Sequence, residues 1–191
     1  NNKCPKNHLK FDTGMARLGF DFNSYNKVFD YIIENSFLPI EGIYSHFSTA
    51  DEGDPTFVKV QLERFNKILK NGKKRGLSFN FIHCSNSGAL LNNYGELFNT
   101  VRVGMLAYGV PPSDEVPMEI NVEPVMSFCG PIVNLRKVSR NTPISYGGIY
   151  LTKKVTNIAV VQMGFADGVP RPWYENGYVS HNGKYYKIAG R

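Results

Sequence analysis

Between Leu9 and Gly104, short apolar segments alternate with segments of helical periodicity, and this alternation constrains the fold more than any other feature. Leu9 to Asp12 alternates apolar and polar residues, as a short strand does. Phe22 to Ser36 reads as a helix, with Asn23 or Ser24 as its cap and Tyr25, Val28, Phe29, Ile32 and Ile33 on one face. Pro39 to Phe47 gives a second strand. After the polar loop Ser48 to Asp54, Pro55 opens a long helix that runs to about Arg75, just before Gly76. Phe79 to Cys84 is a third strand, followed by Ser85-Asn-Ser-Gly and a short helical stretch, and Thr100 to Val103 is a fourth. Strands alternating with helices imply parallel βα units, hence an open α/β sheet or a barrel.

The pattern changes near residue 111. Pro111-Pro112-Ser-Asp-Glu-Val-Pro117 is turn-rich, and the apolar segments beyond it are short and strand-like: Val125 to Val138, Val155 to Met163 and Tyr178 to Ser180. His181-Asn-Gly-Lys184 suits a hairpin, because Asn-Gly accepts positive φ at both central positions. The expected organisation is α/β over residues 1–110, a linker over 111–118 and the start of an all-β domain over 119–191. Four βα units are too few to close an eight-stranded barrel. Ile188 to Arg191 reads as mid-strand, so a portion of a longer polypeptide is expected.

A chain of 191 residues with 42% hydrophobic content can bury a real core. No apolar run reaches membrane-spanning length and no signal-peptide pattern opens the chain, so a soluble globular protein with no membrane partner is expected. A net charge of +6 permits anion contact. The basic residues are dispersed apart from Lys70 to Arg75, where cations favour a helix C-terminus, so no nucleic-acid partner is expected. Cys4, Cys84 and Cys129 lack metal-ligand spacing. Cys84 reads as a buried thiol, which fits a reducing, cytoplasmic setting; no metal site is expected.

Ligands of parallel α/β folds bind at the C-terminal ends of the strands. Lys10, Asp12 and Arg17 crowd the first such end. His46 follows the second, where an imidazole either stacks on a ligand ring or serves as a hydrogen-bonded structural residue. Ser85-Asn-Ser87-Gly offers N–H groups and hydroxyls to an anion, or forms an ordinary turn. Arg102, between Val101 and Val103, needs a partner: a structural carboxylate or a bound anion, the latter helped by close approach at Gly104. Tyr146, among turn glycines, is a packing residue or an acid/base group. Met163 to Arg171 has the glycines of a functional or a plain surface loop.

The stretch from His8 to Gly19 resembles the H-x-K-x-D-T-G-M-x-R-x-G signature of alanine racemases, and the later patches follow in that family's order and rough spacing, so the resemblance runs from residue 8 to residue 191. It implies a pyridoxal phosphate enzyme with a (β/α)8 barrel and a β-strand domain, residues 1–110 being the C-terminal part of the barrel. It further implies that His46 stacks beside the pyridine ring, that Ser87, Gly104 and Met105 hold the phosphate, and that Arg102 contacts the pyridine nitrogen. A cation there keeps that nitrogen unprotonated. Tyr146 matches the tyrosine that exchanges a proton with the substrate Cα. Arg17 would face the substrate carboxylate, beside Lys10, which is often carbamylated in the family. Asp51, Phe165, Arg171 and Arg191 fall at the substrate entryway.

The implied reaction is interconversion of L-alanine and D-alanine by one base on each face of Cα, in a head-to-tail homodimer with shared active sites. The implied purpose is D-alanine for bacterial cell-wall peptidoglycan. Three departures stand out. The family's A-x-V-K-A-N-A-Y-G-H-G stretch, which carries the cofactor lysine and second base, has no match here. Its V-C-M-D-Q motif would begin after Arg191. Phe165 replaces the usual tyrosine. The chain alone is therefore not expected to racemise anything. Neighbouring readings are a racemase for serine or another small amino acid, and a non-catalytic pyridoxal phosphate-binding protein, which would lack the β domain. A barrel-type amino-acid decarboxylase would place a carboxylate, not Arg102, at the pyridine nitrogen.

Overall fold

A computed structural model describes residues 5–95 and 98–191; Cys4 lies outside the described residues. The chain divides into two compact units, Asn1–Met126 and Ser127–Arg191.

In the first unit, β1 (Asn7–Asp12), β2 (Phe20–Asp21), β3 (Ile40–Tyr44) and β4 (Phe81–His83) form one sheet of order β2-β1-β3-β4, all parallel. Parallel neighbours need crossovers. These are α1 (Tyr25–Glu34) and α2 (Thr56–Lys74). Val58, Gln61, Phe65, Ile68 and Gly72 of α2 are buried in one stripe at helical spacing. That stripe packs with Phe29 and Ile32 of α1 on Leu9, Phe11 and Ile43 of the sheet. Gly72 lets the helices close up, since a Cβ there would sit 3.3 Å from the Phe29 ring. Arg75, just past α2, pairs with Asp30 and donates to Asn26 Oδ1 at 3.0 Å, tying α2 to α1.

The structure corrects several local readings. The turn before α1 is capped by Asp21, whose carboxylate accepts from Asn23 N at 2.7 Å; Ser24 makes no side-chain cap bond, because a 3-10 turn starts the helix earlier. Ile33 is exposed, not on the buried face. Thr100 to Val103 does not form a full strand. Only Thr100 bridges His83, and Arg102 N donates to Ser85 O at 3.0 Å, which keeps the segment extended beside the sheet. Residues 111–118 belong to the first unit and pack within it: Val116 is buried, Gly53 N donates to Glu115 Oε2 at 2.8 Å, and Ser113 Oγ donates to Asp51 O.

The second unit comprises β5 (Ile132–Val138) paired antiparallel with β8 (Thr156–Val161), β6 (Pro143–Ile144) with β7 (Tyr150–Leu151), and β9 (Tyr178–His181) with β10 (Lys184–Lys187). The one-turn α4 (Trp173–Asn176) precedes β9. Asn182 and Gly183 turn the last hairpin with φ of 50° and 73°. Ile188 to Arg191 is not strand.

Charge is segregated by unit, although it looks dispersed along the sequence. Residues 127–191 hold nine Lys or Arg and two Asp or Glu, whereas residues 1–126 hold 13 and 14. Among the described residues, no helix is long and apolar enough to cross a membrane.

Candidate active site

Alternation in the strands sends Leu9, Phe11 and Ile43 to the helices and leaves His8, Lys10, Tyr44 and His83 on the opposite face of the sheet. Arg102 meets that face. Its guanidinium donates from Nη2 to Ser45 O at 2.9 Å, to His46 Nδ1 at 2.9 Å and to Cys84 O at 3.3 Å, and from Nη1 to His83 Nδ1. It also lies 5.2 Å from the centre of the Tyr44 ring. No carboxylate pairs with it among the described residues. Burial lowers its pKa, as it does any half-buried cation. Burial, then the charges of Arg102, Arg17 and Lys10, also holds the His46 imidazole down to about 4, against an opposing pull from Asp51. Of these charges, Arg102 is the one in hydrogen-bonding contact with His46. Cys84 is fully buried and burial pushes its thiol up to about 12, so it is inert.

The loop after β1 is folded around Asp12, whose carboxylate accepts from Gly14 N, Met15 N and Arg17 N at 2.8, 2.9 and 3.1 Å. Burial opposes this charge, but backbone hydrogen bonds outweigh it and hold the carboxyl below its usual range. The Arg17 side chain is exposed. Lys10 extends over the Tyr44 ring at 5.7 Å, and burial, then Arg17 and Arg102, lowers its pKa. Gln61 of α2, fully buried, joins this loop to that after β3. Its amide donates to Thr13 Oγ1 at 3.3 Å and His46 O at 2.9 Å, and accepts from Ser48 N at 3.0 Å and Ser48 Oγ at 3.2 Å. All four hydrogen-bonding positions of the amide are thus used.

Ser87 opens α3 (Ser87–Leu91), with Asn86 Oδ1 accepting from Ala89 N. Ser87 Oγ accepts from Gly104 N at 3.1 Å and Leu106 N at 3.4 Å, drawing the segment after Arg102 onto this corner. The N–H groups of Ser87 and Met105 have no protein acceptor among the described residues, and nothing lies within 4 Å of a Cβ built on Gly104. Open space bordered by free N–H donors suits an anion such as a phosphate group. Asp51 lies on the neighbouring loop, its backbone N 2.9 Å from a Cβ at Gly88.

The remaining predicted residues belong to the second unit. Tyr146 is 82% exposed and sits on a turn where Ser145, Gly147 and Gly148 all have positive φ. Ser145 Oγ donates to Arg191 O, which brings Arg191 to the same turn. The Arg171 guanidinium lies 5.0 Å from the centre of the Phe165 ring. Among the described residues, no cluster of His, Cys, Asp and Glu could hold a metal.

Sequence reasoning missed His83, Tyr44 and Gln61, and gave no role to His8. A polar residue at an inward position of a strand, as His83 and Tyr44 are, was the available signal.

Residues 1–112 match the family described as alanine racemase, N-terminal domain, and residues 125–191 match alanine racemase, C-terminal domain. The chain is 40% identical over 191 residues to alanine racemase 2 of Caldanaerobacter subterraneus subsp. tengcongensis, covering 99% of this chain and 49% of that protein. It is 38% identical over 185 residues to the alanine racemase of Carboxydothermus hydrogenoformans, covering 96% and 50%. Its structure resembles alanine racemase from Streptomyces coelicolor A3(2) with a TM-score of 0.88 at 34% identity, over 96% of this chain and 50% of that one. The chain thus spans about half the length of the curated relatives it matches. The shared fold makes the first unit part of a (β/α)8 barrel and the second part of a β-strand domain.

Proposed function

Because the chain belongs to the alanine racemase family, we propose that it supplies most of the cofactor pocket of an enzyme interconverting L-alanine and D-alanine. The observation that carries this reading is Arg102: a half-buried cation, held by neutral acceptors, with N–H groups left for a ligand. Pyridoxal phosphate bound there supplies the electron sink that acidifies the amino-acid Cα–H. Arg102 would disfavour protonation of the pyridine nitrogen, while His46, held neutral, would lie against the ring. The Ser87 hydroxyl and the N–H groups of Ser87 and Met105 would hold the phosphate, with Gly104 leaving open space for it to approach.

Arg17 binds the substrate carboxylate. Lys10 beside it has a lowered pKa and so a larger fraction of free amine. That amine adds to carbon dioxide with loss of a proton, and the resulting carbamate neutralises and orients Arg17. Tyr146 moves the proton on one face of Cα; the base on the other face is a lysine outside this chain. Tyr146, exposed on its turn, acts on the first unit of a partner subunit in a cytoplasmic homodimer. Asp51, Phe165, Arg171 and Arg191 border the way in. Residues 1–191 alone are inactive.

The test uses the full-length polypeptide with pyridoxal phosphate, following each alanine enantiomer by chiral chromatography. Interconversion is expected, with a loss of at least about 100-fold in Arg102→Glu. Preference for serine over alanine would replace the substrate assignment; cofactor binding with no racemisation of either would overturn the enzyme reading.

A further inference from the structure

Arginine has no acceptor, and in a protein it does not give up its proton. The His83 Nδ1 beside Arg102 Nη1 is therefore bare, and the neutral ring carries its hydrogen on Nε2. That hydrogen is directed to His8 Nδ1 at 2.8 Å, which must be bare in turn. One cation thus dictates the tautomers of two histidines 75 positions apart in sequence.

The strands make room for both rings. Tyr44 stacks on His83 at 4.7 Å with 15° between planes, and Phe81 on His8 at 5.5 Å with 20°. A Cβ at Gly42 would lie 2.6 Å from His8 Nδ1, so the absent side chain of β3 is what admits the His8 ring. Burial, then Arg102 and His8, holds His83 down to about 4. The groups facing it are Arg102, His8 and Tyr44, none of them a carboxylate.

A carboxylate would anchor Arg102 as firmly, but it would cancel part of its charge. An imidazole of fixed tautomer anchors it without doing so. We infer that His83, backed by His8, is a positioning residue that fixes the Arg102 guanidinium while leaving its positive charge undiminished for the ligand. The inference deepens the proposed function, because the ligand is the pyridine nitrogen assigned to Arg102 there.

Three substitutions in the full-length holoenzyme separate position from charge. His83→Asn offers a neutral acceptor, His83→Asp an acceptor of the same shape with a negative charge, and His83→Leu none. The asparagine variant should stay within about threefold of the parent kcat, while the aspartate and leucine variants should fall about 10- to 100-fold, the range for residues that orient a ligand-contacting group. With 15N-labelled pyridoxal phosphate, the ring nitrogen should read unprotonated by NMR in the parent and His83→Asn, and shift toward protonation in His83→Asp. In the parent with or without cofactor, 15N-histidine spectra should show the Nε2–H tautomer for His83.

Equal rates and equal ring-nitrogen shifts for His83→Asp and His83→Asn would overturn the inference, as would a proton on His83 Nδ1. The histidine spectra do not depend on turnover. A parent that fails to racemise alanine would therefore sink the proposed function while the tautomer result still decides this one.

Discussion

The two units of this chain hold their functional residues by different means. In the first, Phe11, Phe29, Phe65 and Ile68 are fully buried, and the polar site residues hang from that core through named hydrogen bonds. In the second, Leu135, Tyr146 and Tyr185 are mostly exposed, and Thr152 is the one buried polar side chain. Its hydroxyl donates to Ser139 O at 2.6 Å and accepts from Thr142 N at 2.9 Å. Turns and paired ribbons make the contacts within these residues, and separate two-stranded ribbons are marginal on their own. The difference teaches that Arg102 and His46 are held by contacts within the first unit, whereas Tyr146 stands exposed on its turn, as the proposed site shared between subunits requires.

The largest expected effect lies in the core of the first unit. Phe65→Ala should cost about 3–5 kcal/mol in urea unfolding of the full-length protein. A loss below about 1 kcal/mol would mean that α2 does not carry this unit as its burial implies.

Acid should then act on the same unit. His46 and His83 are held to about 4 in the folded state against an ordinary 6.5. Between those values the unfolded chain takes up protons that the folded chain refuses, so their contribution is complete above pH 6.5 and lost as pH falls toward 4. The midpoint of urea unfolding should decline across that window, ahead of any loss from Asp12, whose lowered pKa acts only below 3.8. A flat midpoint would contradict the neutral histidines. The smallest effect belongs to the second unit: Thr152→Val, which strands the Thr142 N–H while the Ser139 carbonyl keeps the Thr142 hydroxyl as a donor, should cost about 1–3 kcal/mol. A null result would leave the turns themselves holding that unit.

Local pattern made much of the first unit legible. The 3.6-residue period placed Val58, Phe65 and Ile68 on one face, and Asn-Gly marked the last hairpin. Gln61 falls on that same face but looks like a solvent-facing residue, because only tertiary contacts reveal its four partners. The relay from Arg102 to His8 depends on the register of parallel strands distant in sequence, which no local signal encodes. Thr100 to Val103 has strand composition, yet pairing is non-local and only one bridge forms. The charge asymmetry emerged only once the unit boundary was known.

The most direct test of a pre-organised first unit served by a second unit from a partner is complementation between two inactive full-length variants. Arg102→Glu and Tyr146→Phe would be unfolded, mixed in equal amounts and refolded with pyridoxal phosphate. In a mixed dimer, one site would draw both mutations and the other neither, so random pairing should restore about a quarter of the parental alanine racemisation. No recovery in verified mixed dimers would place Tyr146 and Arg102 of each site on the same chain and contradict the account.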